Sequence, residues 1–289
     1  AVVYCGNGVA SEIAPELLSA LGCKITPLFC KTDGNFPNHH PDPSQPETLK
    51  DLISTMHETG ADIGLAFDGD GDRLGVVTPD GKIIWPDRQL ILFARDILKQ
   101  IPGAHIIYDV KCSQTVATEI RKAGGKPEMW KTGHSFIHAR LRETGAELAG
   151  EMSGHIFFND HWYGFDDGLY AAVRLLHILA KDQRNASEVF ADLPDTVNTP
   201  ELGLTMAEGE HYKLINELIA NADFPDANVS KIDGLRVDFD HGFGLVRASN
   251  TTPKLVLRFE ADNESNLENI MERFRKLINS TRPDLKLSF

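Results

Sequence analysis

Three aspartates occupy alternate positions in residues 68–73, Asp-Gly-Asp-Gly-Asp-Arg, directly after the apolar run at 63–67. Ionised carboxylates this close repel one another, and the glycines between them cost backbone entropy, so another interaction must offset both penalties. Hard oxygen donors on a short loop suit Mg²⁺, which keeps several waters and commonly takes a phosphate oxygen. The pattern therefore predicts a Mg²⁺ site, with Arg73 as a partner for phosphate and three metal ligands: Asp68, Asp70 and Asp72.

Two other structures could place acidic residues in a loop of this kind. An acidic surface turn is the plain alternative, but a turn usually places one Asp beside Gly rather than an alternating triplet that ends in Arg. An EF-hand is excluded by register, because loop position six would be Arg73 where Gly is needed, and position twelve would be Pro79 where Glu is needed.

Three further stretches carry polar groups suited to binding or proton transfer. Lys111 follows an apolar run, at the carboxyl end of a predicted strand, where α/β sheets place ligands. His134 closes the sequence Lys-Thr-Gly-His at 131–134, at a predicted helix start. Residues 150–155, Gly-Glu-Met-Ser-Gly-His, place an acceptor, a hydroxyl and an acid/base group on one bend, which suits sugar hydroxyls. Taken alone, each also fits a surface lysine, a structural histidine or a polar turn.

Residues 247–252, Arg-Ala-Ser-Asn-Thr-Thr, lie between two predicted strands. They offer a guanidinium, three hydroxyls, an amide and consecutive backbone N–H donors, which together match a phosphate dianion. A Ser/Thr-rich hairpin loop explains the composition equally well. Two other stretches are weaker: Gly6 and Gly8 lack the third glycine of a dinucleotide-binding fingerprint, and the prolines in 38–43 favour a stiff loop over a metal site.

Composition narrows the class of protein. The chain has 289 residues, 42% hydrophobic and 25% charged, and is large enough for two or three hydrophobic cores. A net charge of −13 argues against a nucleic-acid partner, because a protein without basic stretches releases few counterions. The sequence contains neither a membrane-span pattern nor a basic leader, so we expect a cytoplasmic protein without a membrane partner, and with reduced thiols at Cys5, Cys23, Cys30 and Cys112.

The predicted elements alternate in βαβ order over the first two thirds of the chain. A first group has strands at 2–4, 25–29, 63–67, 74–78 and 82–85, and helices at 11–21 and 47–57. A second group has strands at 106–110, 126–130 and 147–150, and helices at 87–99 and 167–180. After a break near Pro194, the tail has strands at 235–239, 244–247 and 254–259 and a helix at 264–277. The fold class predicted is α/β: two repeated α/β domains with mixed, mostly parallel sheets, plus a C-terminal α+β domain.

Taken together and in this order, the three loops at 68–73, 150–154 and 247–251 resemble those of the α-D-phosphohexomutases. The likeness runs from Ala1 to Phe289, and is strongest to the bacterial phosphomannomutase/phosphoglucomutase branch. It implies domains two to four of a four-domain enzyme, at 1–84, 85–194 and 195–289, with the first domain absent.

The resemblance also implies a role for each singled-out side chain. Mg²⁺ would be bound by the three aspartates, and a catalytic group in the cleft would comprise Arg73, Lys111 and His155, the last as a candidate proton carrier. His134 would also line the cleft, while Glu151 and Ser153 would hold sugar hydroxyls. The phosphate that does not react would be bound by Arg247, Ser249, Asn250 and Thr251.

The family reaction implied is the reversible interconversion of hexose 1-phosphate and hexose 6-phosphate. An enzyme phosphoserine passes its phosphoryl group to the sugar, and the 1,6-bisphosphate turns around and returns its other phosphate. The implied cofactors are Mg²⁺ and glucose 1,6-bisphosphate as activator. The implied partners are the 1- and 6-phosphates of glucose and mannose, together with the missing N-terminal domain.

One departure from the family pattern is large. The family's phosphoserine is followed by His, and none of the serines in this chain is. We therefore expect the isolated chain to be inactive. Two rival classes stay open: another Mg²⁺-dependent phosphotransferase with an Asp nucleophile, and a non-catalytic sugar-phosphate binding fragment.

Overall fold

The computed structural model describes residues 1–287 and 289 and divides into two compact units. The first unit contains Ala1–Cys112, Val116–Met129 and Gly133–Leu193, and the second contains Ser113–Thr115, Trp130–Thr132 and Pro194–Phe289.

The first sheet of the first unit has five strands in the order β2-β1-β3-β4-β5. They are β1 Val2–Tyr4, β2 Thr26–Leu28, β3 Gly64–Phe67, β4 Leu74–Val77 and β5 Ile83–Ile84. Strand β1 runs parallel to both β2 and β3, whereas β3, β4 and β5 pair antiparallel. The helices α1 Ala14–Ala20 and α2 Lys50–Thr59 connect the parallel strands, as βαβ units require.

The second sheet of this unit has four strands in the order β7-β6-β8-β9. They are β6 His105–Asp109, β7 Lys126–Trp130, β8 Leu148–Gly150 and β9 Ile156–Phe158. The accompanying helices are α3 Pro86–Gln100, α4 Gln114–Lys122, α5 His134–Thr144, α6 Gly168–Lys181 and α7 Ala186–Ala191. One continuous hydrophobic cluster includes Leu65 of the first sheet, Leu148 of the second and Leu175 of α6, so the two sheets share a core.

The second unit is built on an antiparallel sheet in the order β10-β15-β14-β13-β12, with β11 also paired to β15. Its strands are β10 Val197–Asn198, β11 Leu202–Thr205, β12 Asn228–Ser230, β13 Leu235–Phe239, β14 Gly242–Ala248 and β15 Lys254–Ala261. Two helices, α8 Glu210–Asn221 and α9 Glu264–Thr281, share its hydrophobic core. Close packing there leaves no room for a side chain at Gly244, because a Cβ would lie 2.3 Å from the Phe274 ring.

The predicted fold class is confirmed: mixed α/β sheets are followed by an antiparallel sheet with helices. Local bounds differ in places. The helix predicted at 11–21 begins later, at Ala14, because a short 3₁₀ turn, Val9–Glu12, precedes α1. Pro15 lies in the first turn of α1, a position that suits the start of an α-helix. Helices α4, α7 and α8 were missing from the prediction, and of α5 only the start at His134 was predicted. The three domain boundaries stay a prediction.

Among the residues that the structure describes, no helix combines the length and the apolar character needed to cross a membrane.

Candidate functional site

The aspartate loop, residues 68–73, joins β3 to β4 in the first unit. Asp68 is buried, and its Oδ1 accepts hydrogen bonds from the backbone N–H groups of Gly71 and Arg73, each at 3.1 Å. Its Oδ2 accepts a hydrogen bond of 2.7 Å from Arg73 Nε. These bonds use three of the roughly four lone-pair positions of a carboxylate, which leaves one on Oδ2 for a metal ion. Gly71, at φ +81°, supplies the left-handed residue that the turn requires.

The three aspartates of this loop converge. One carboxylate oxygen from each of Asp68, Asp70 and Asp72 lies within 4.8 Å of the other two. Burial and the neighbouring Asp68 carboxylate raise the pKa of Asp70. Asp72 Oδ1 is buried and accepts no hydrogen bond from any described residue. Repulsion between the carboxylates and an unsatisfied oxygen are both relieved by a divalent cation, so this set of hard oxygen donors fits Mg²⁺.

Arg73 connects this loop to two other acidic side chains. Its Nη1 donates a hydrogen bond of 3.1 Å to Asp42 Oδ1, and its Nε lies 3.8 Å from Asp72 Oδ1. Burial lowers the pKa of this guanidinium, but the charges of Asp68, Asp42 and Asp72 raise it by more. The guanidinium is therefore a fixed cation at the edge of the aspartate loop.

The glutamate loop, residues 150–155, joins β8 to β9 and forms a closed turn. The backbone N–H of Glu151 donates to His155 O at 2.9 Å, and that of Gly154 donates to Glu151 O at 3.1 Å. A short antiparallel bridge pairs Arg73 with His155. The glutamate loop and the aspartate loop are thus held side by side within one unit.

Glu151 is almost fully buried, and its Oε1 accepts a 2.5 Å hydrogen bond from the Gly133 N–H. Burial and the charge of Asp109 raise its pKa to about 7, against the opposing effects of the Gly133 N–H, His155 and Lys111. A carboxyl group with this pKa can donate or accept a proton near neutrality. Because the Lys111 charge is among the effects that lower the pKa of Glu151, Lys111 must lie within electrostatic range of that carboxyl group. Lys111 is half-buried and lies just after β6.

His155 lies between two carboxylates, which makes a second group of convergent ligands. Its Nδ1 is 2.8 Å from Asp166 Oδ2 and 3.5 Å from Asp72 Oδ2. Burial lowers the pKa of His155, but Asp166, Asp72 and Glu151 raise it by more, so the imidazolium form is favoured. The ring of His134, the first residue of α5, lies 5.6 Å from that of His155. Ser153 is half-buried and lies in the glutamate loop, between Glu151 and His155 in the sequence.

The arginine loop, residues 247–252, joins β14 to β15 in the second unit. Arg247 is buried; its Nε donates a 3.0 Å hydrogen bond to Asp233 Oδ2, while its buried Nη2 donates none to a described residue. Ser249 Oγ lies 3.5 Å from Thr251 Oγ1, and Asn250 Nδ2 donates a long 3.3 Å bond to Thr132 O. Because the Asn250 contact is long, its amide donor can turn to an anion at little cost, whereas Ser249 Oγ also lies 3.1 Å from Thr252 Oγ1.

The structure places nine predicted residues in the first unit: Asp68, Asp70, Asp72, Arg73, Lys111, His134, Glu151, Ser153 and His155. Hydrogen bonds, ion pairs, ring contacts or electrostatic interactions link most of them to a neighbour in this set. The remaining four, Arg247, Ser249, Asn250 and Thr251, lie together on one loop of the second unit. Sequence reasoning missed the acidic partners Asp42, Asp109, Asp166 and Asp233. Asp109 carried a signal, since it ends β6 two residues before Lys111, and Asp42 lies in the stretch 38–43 that was interpreted as a stiff loop.

Comparison with known proteins was decisive for the family. Three sequence models of one family match in order: phosphoglucomutase/phosphomannomutase alpha/beta/alpha domain II over residues 1–81, alpha/beta/alpha domain III over 85–197, and the C-terminal domain over 204–277. The chain belongs to this α-D-phosphohexomutase family. The family resemblance inferred from the three loops is therefore confirmed.

Among known α-D-phosphohexomutases, the phosphomannomutase/phosphoglucomutase of Pseudomonas putida is 55% identical over 288 residues. The phosphoglucomutase of Neisseria gonorrhoeae is 56% identical over 280 residues. The crystal structure of a phosphoglucomutase/phosphomannomutase family protein from Burkholderia thailandensis matches with a TM-score of 0.95 at 56% identity. The matches cover 100%, 96% and 100% of this chain, but only 62%, 61% and 62% of the respective relatives.

Proposed function

We propose that these 289 residues form the metal-, sugar- and phosphate-binding part of a phosphomannomutase/phosphoglucomutase. The whole enzyme would interconvert hexose 1-phosphate and hexose 6-phosphate through a bisphosphate intermediate. Its phosphoserine would come from a segment outside residues 1–289, because no serine here precedes a histidine. The observation that carries the proposal is the Arg73–His155 bridge, which joins a divalent-metal donor set to a loop with acid/base groups.

In this proposal, Asp68, Asp70 and Asp72 hold Mg²⁺, which supplies positive charge to the phosphoryl oxygens when bound. Arg73 and Lys111 add fixed positive charge beside the transferring phosphoryl group, whose oxygens carry the developing negative charge. Arg73 is held before substrate arrives, since it is already bound to Asp68 and Asp42. Its guanidinium therefore needs little reorganisation as the phosphoryl group moves.

We assign the sugar hydroxyls to Glu151 and Ser153, with His134 at the side of the cleft. His155 is assigned the proton transfer at the sugar oxygen. Asp166 lies against Nδ1 of His155, which directs Nε2 to the substrate. An imidazole held in this way can release a proton to one sugar oxygen and recover it from another, as a reversible reaction requires.

The phosphate that does not react is assigned to Arg247, Ser249, Asn250 and Thr251. Support comes from the buried Nη2 of Arg247, which lacks a hydrogen-bond acceptor among the described residues. A guanidinium with one edge on Asp233 keeps its remaining donors for a planar or tetrahedral anion. The same loop would hold either end of a bisphosphate after it turns around.

The finer assignments follow from the same proposal. In it, the substrates are the 1- and 6-phosphates of glucose and mannose, and glucose 1,6-bisphosphate is the activator. The metal, sugar and phosphate sites would lie in separate domains at 1–84, 85–194 and 195–289. Glu151 and Ser153 would contact hydroxyls common to glucose and mannose, so the C2 epimer should matter little. The free thiols of the chain favour the reducing environment of the cytoplasm.

The test is a coupled assay of this chain joined to the part of the Burkholderia thailandensis relative that lies outside the match, in which we expect the phosphoserine. We expect Mg²⁺-dependent turnover of glucose 1-phosphate and mannose 1-phosphate, activated by glucose 1,6-bisphosphate. A Glu151→Ala variant of the same protein should lose activity on both sugars to a similar extent. Folded, phosphorylated protein that turns over neither sugar would contradict the proposal.

A further inference from the structure

Two of the four cysteines lie in contact, at a place that the proposed function does not use. Cys5 directly follows β1 and is fully buried, and Cys30 lies two residues after the end of β2 and is half-buried. Their Sγ atoms are 3.1 Å apart. Since β1 and β2 are parallel neighbours with Tyr4 opposite Leu28, both cysteines leave the sheet on the same edge.

Hydrogen bonds hold the Cys5 backbone and the Cys30 thiol in this arrangement. The Cys5 N–H donates to Leu28 O at 3.1 Å, and the Cys30 thiol also lies 3.2 Å from Val3 O. A disulfide needs a sulfur–sulfur distance of about 2 Å and side chains that point towards each other. The second condition is met already, and the first requires the sulfurs to approach by roughly 1 Å.

We propose that Cys5 and Cys30 form a reversible intramolecular disulfide when the protein meets a peroxide. The Cys30 thiolate attacks the peroxide oxygen and becomes a sulfenic acid, with loss of hydroxide. The Cys5 sulfur then displaces water from it and forms the sulfur–sulfur bond. Two thiols and one hydrogen peroxide give one disulfide and two waters, and a small dithiol reverses the reaction by exchange.

The order of attack follows from exposure. Cys30 is the more accessible sulfur, and its hydrogen bond with Cys5 lowers the pKa of the Cys30 thiol, whereas that bond and burial raise the pKa of Cys5. The other two cysteines lack this arrangement: Cys112 is buried with its Sγ 3.0 Å from Asp109 Oδ1, and no described contact joins Cys23 to another sulfur.

The Cys5–Cys30 disulfide would also affect the aspartate loop. The turn after Cys5 has left-handed residues at Gly6 and Asn7, and its Val9 N–H donates to Gly69 O at 3.0 Å. A Cβ on Gly8 would lie 2.6 Å from Gly69 O, so this turn and the aspartate loop are in tight contact. A backbone movement at Cys5 would therefore be transmitted through these contacts to residues 68–73.

The experiment uses the full chain with Cys23→Ser, so that the tryptic peptide 1–24 contains only Cys5 and the peptide 25–31 contains only Cys30. After treatment with hydrogen peroxide, we expect these two peptides to be linked, with the loss of two hydrogens, and to separate again with dithiothreitol. Cys30→Ser and, separately, Cys5→Ala should abolish the link. Intact peptides without a link, or a link that persists in either variant, would overturn the disulfide.

Amide hydrogen exchange on the same samples tests the route to the aspartate loop without any ligand. Oxidation should change exchange at residues 6–9 and 69–73 by about fivefold or more, and dithiothreitol should reverse the change. Cys30→Ser protein treated with peroxide is the control and should not change. Equal exchange in the oxidised and reduced protein would overturn the coupling.

Discussion

Asp70 offers the sharpest test of the aspartate loop at the scale of one residue. Replacing Asp70 by Asn removes one anionic ligand, so Mg²⁺ or Mn²⁺ should bind at least about tenfold more weakly. The same change removes repulsion from Asp68, so the metal-free protein should become more stable to heat. Calorimetric titration and thermal unfolding in EDTA measure the two effects.

Asp62→Asn is the matched control for that change, because Asp62 is exposed and lies just before β3. It should alter neither metal affinity nor stability. An Asp70→Asn protein that bound Mg²⁺ as tightly as the parent chain would exclude the aspartate loop as the metal site.

Glu151 leads to a prediction about pH. Its folded-state pKa of about 7 exceeds the usual 4.5, so the folded protein binds this proton more tightly than the unfolded chain does. Stability from this group is therefore full below about pH 4.5 and is lost as pH rises to about 7. Over that window, the free energy of unfolding of the parent chain should fall on the order of 3 kcal/mol relative to Glu151→Gln. Urea unfolding at a series of pH values measures it, and parallel curves for the two proteins would contradict it.

Arg247 is the residue to test in the second unit. A hydrogen bond between charged groups contributes roughly 1.5 to 3 kcal/mol, so Arg247→Ala should weaken glucose 1-phosphate binding about ten- to a hundredfold. Arg247→Lys keeps the charge but not the fork of donors and should recover only part of the loss. Arg273→Ala is the control, because Arg273 already pairs with Asp226. Unchanged affinity in Arg247→Ala, measured by calorimetry, would remove this residue from the phosphate site.

At the scale of elements, the start of α6 supports the aspartate loop. The Gly168 N–H donates to Gly71 O at 3.1 Å, and a Cβ on Gly168 would lie 2.8 Å from the carbonyl oxygens of both Gly71 and Arg73. Gly168→Ala should therefore move the loop, cost about 1 to 3 kcal/mol of stability and weaken Mg²⁺ binding. Gly34→Ala, where a Cβ meets nothing within 4 Å, should do neither. Denaturant unfolding measures the stability of the two variants, and metal titration measures their Mg²⁺ affinity. Equal stability and equal affinity in the two variants would show that α6 does not support the loop.

At the scale of the whole molecule, we predict that residues 1–289 alone do not interconvert hexose phosphates. Phosphoryl transfer needs a donor in line with the sugar oxygen, and binding groups cannot replace that donor. Glucose 1,6-bisphosphate should not restore turnover, because the chain has no phosphoserine motif to exchange with it. The measurement compares this chain with the extended chain in one coupled assay, and comparable turnover would overturn the phosphoserine mechanism.

Much of the fold could be predicted because long elements carry their own signals. The helix α6 follows an N-cap at Asp167 and was expected at 167–180, against Gly168–Lys181 in the structure. The two-residue strand β10 and the short helix α7 were missed. Elements this short depend on partners elsewhere in the chain, such as β15 for β10, and the local pattern of apolar residues does not reveal those partners.

The sequence by itself determined the chemistry of the candidate site. Asp68, Asp70 and Asp72 are close to one another in the chain and must therefore stay close in space, and the same holds for the polar groups of residues 150–155. Only the tertiary structure decided which acids surround them. Asp166 reaches His155, and Asp109 raises the pKa of Glu151 from another strand. Strand pairing brings these distant carboxylates together, and burial makes their charges interact strongly. Protonation in the site is therefore a property of the fold, whereas the kinds of donor it offers are already present in the sequence.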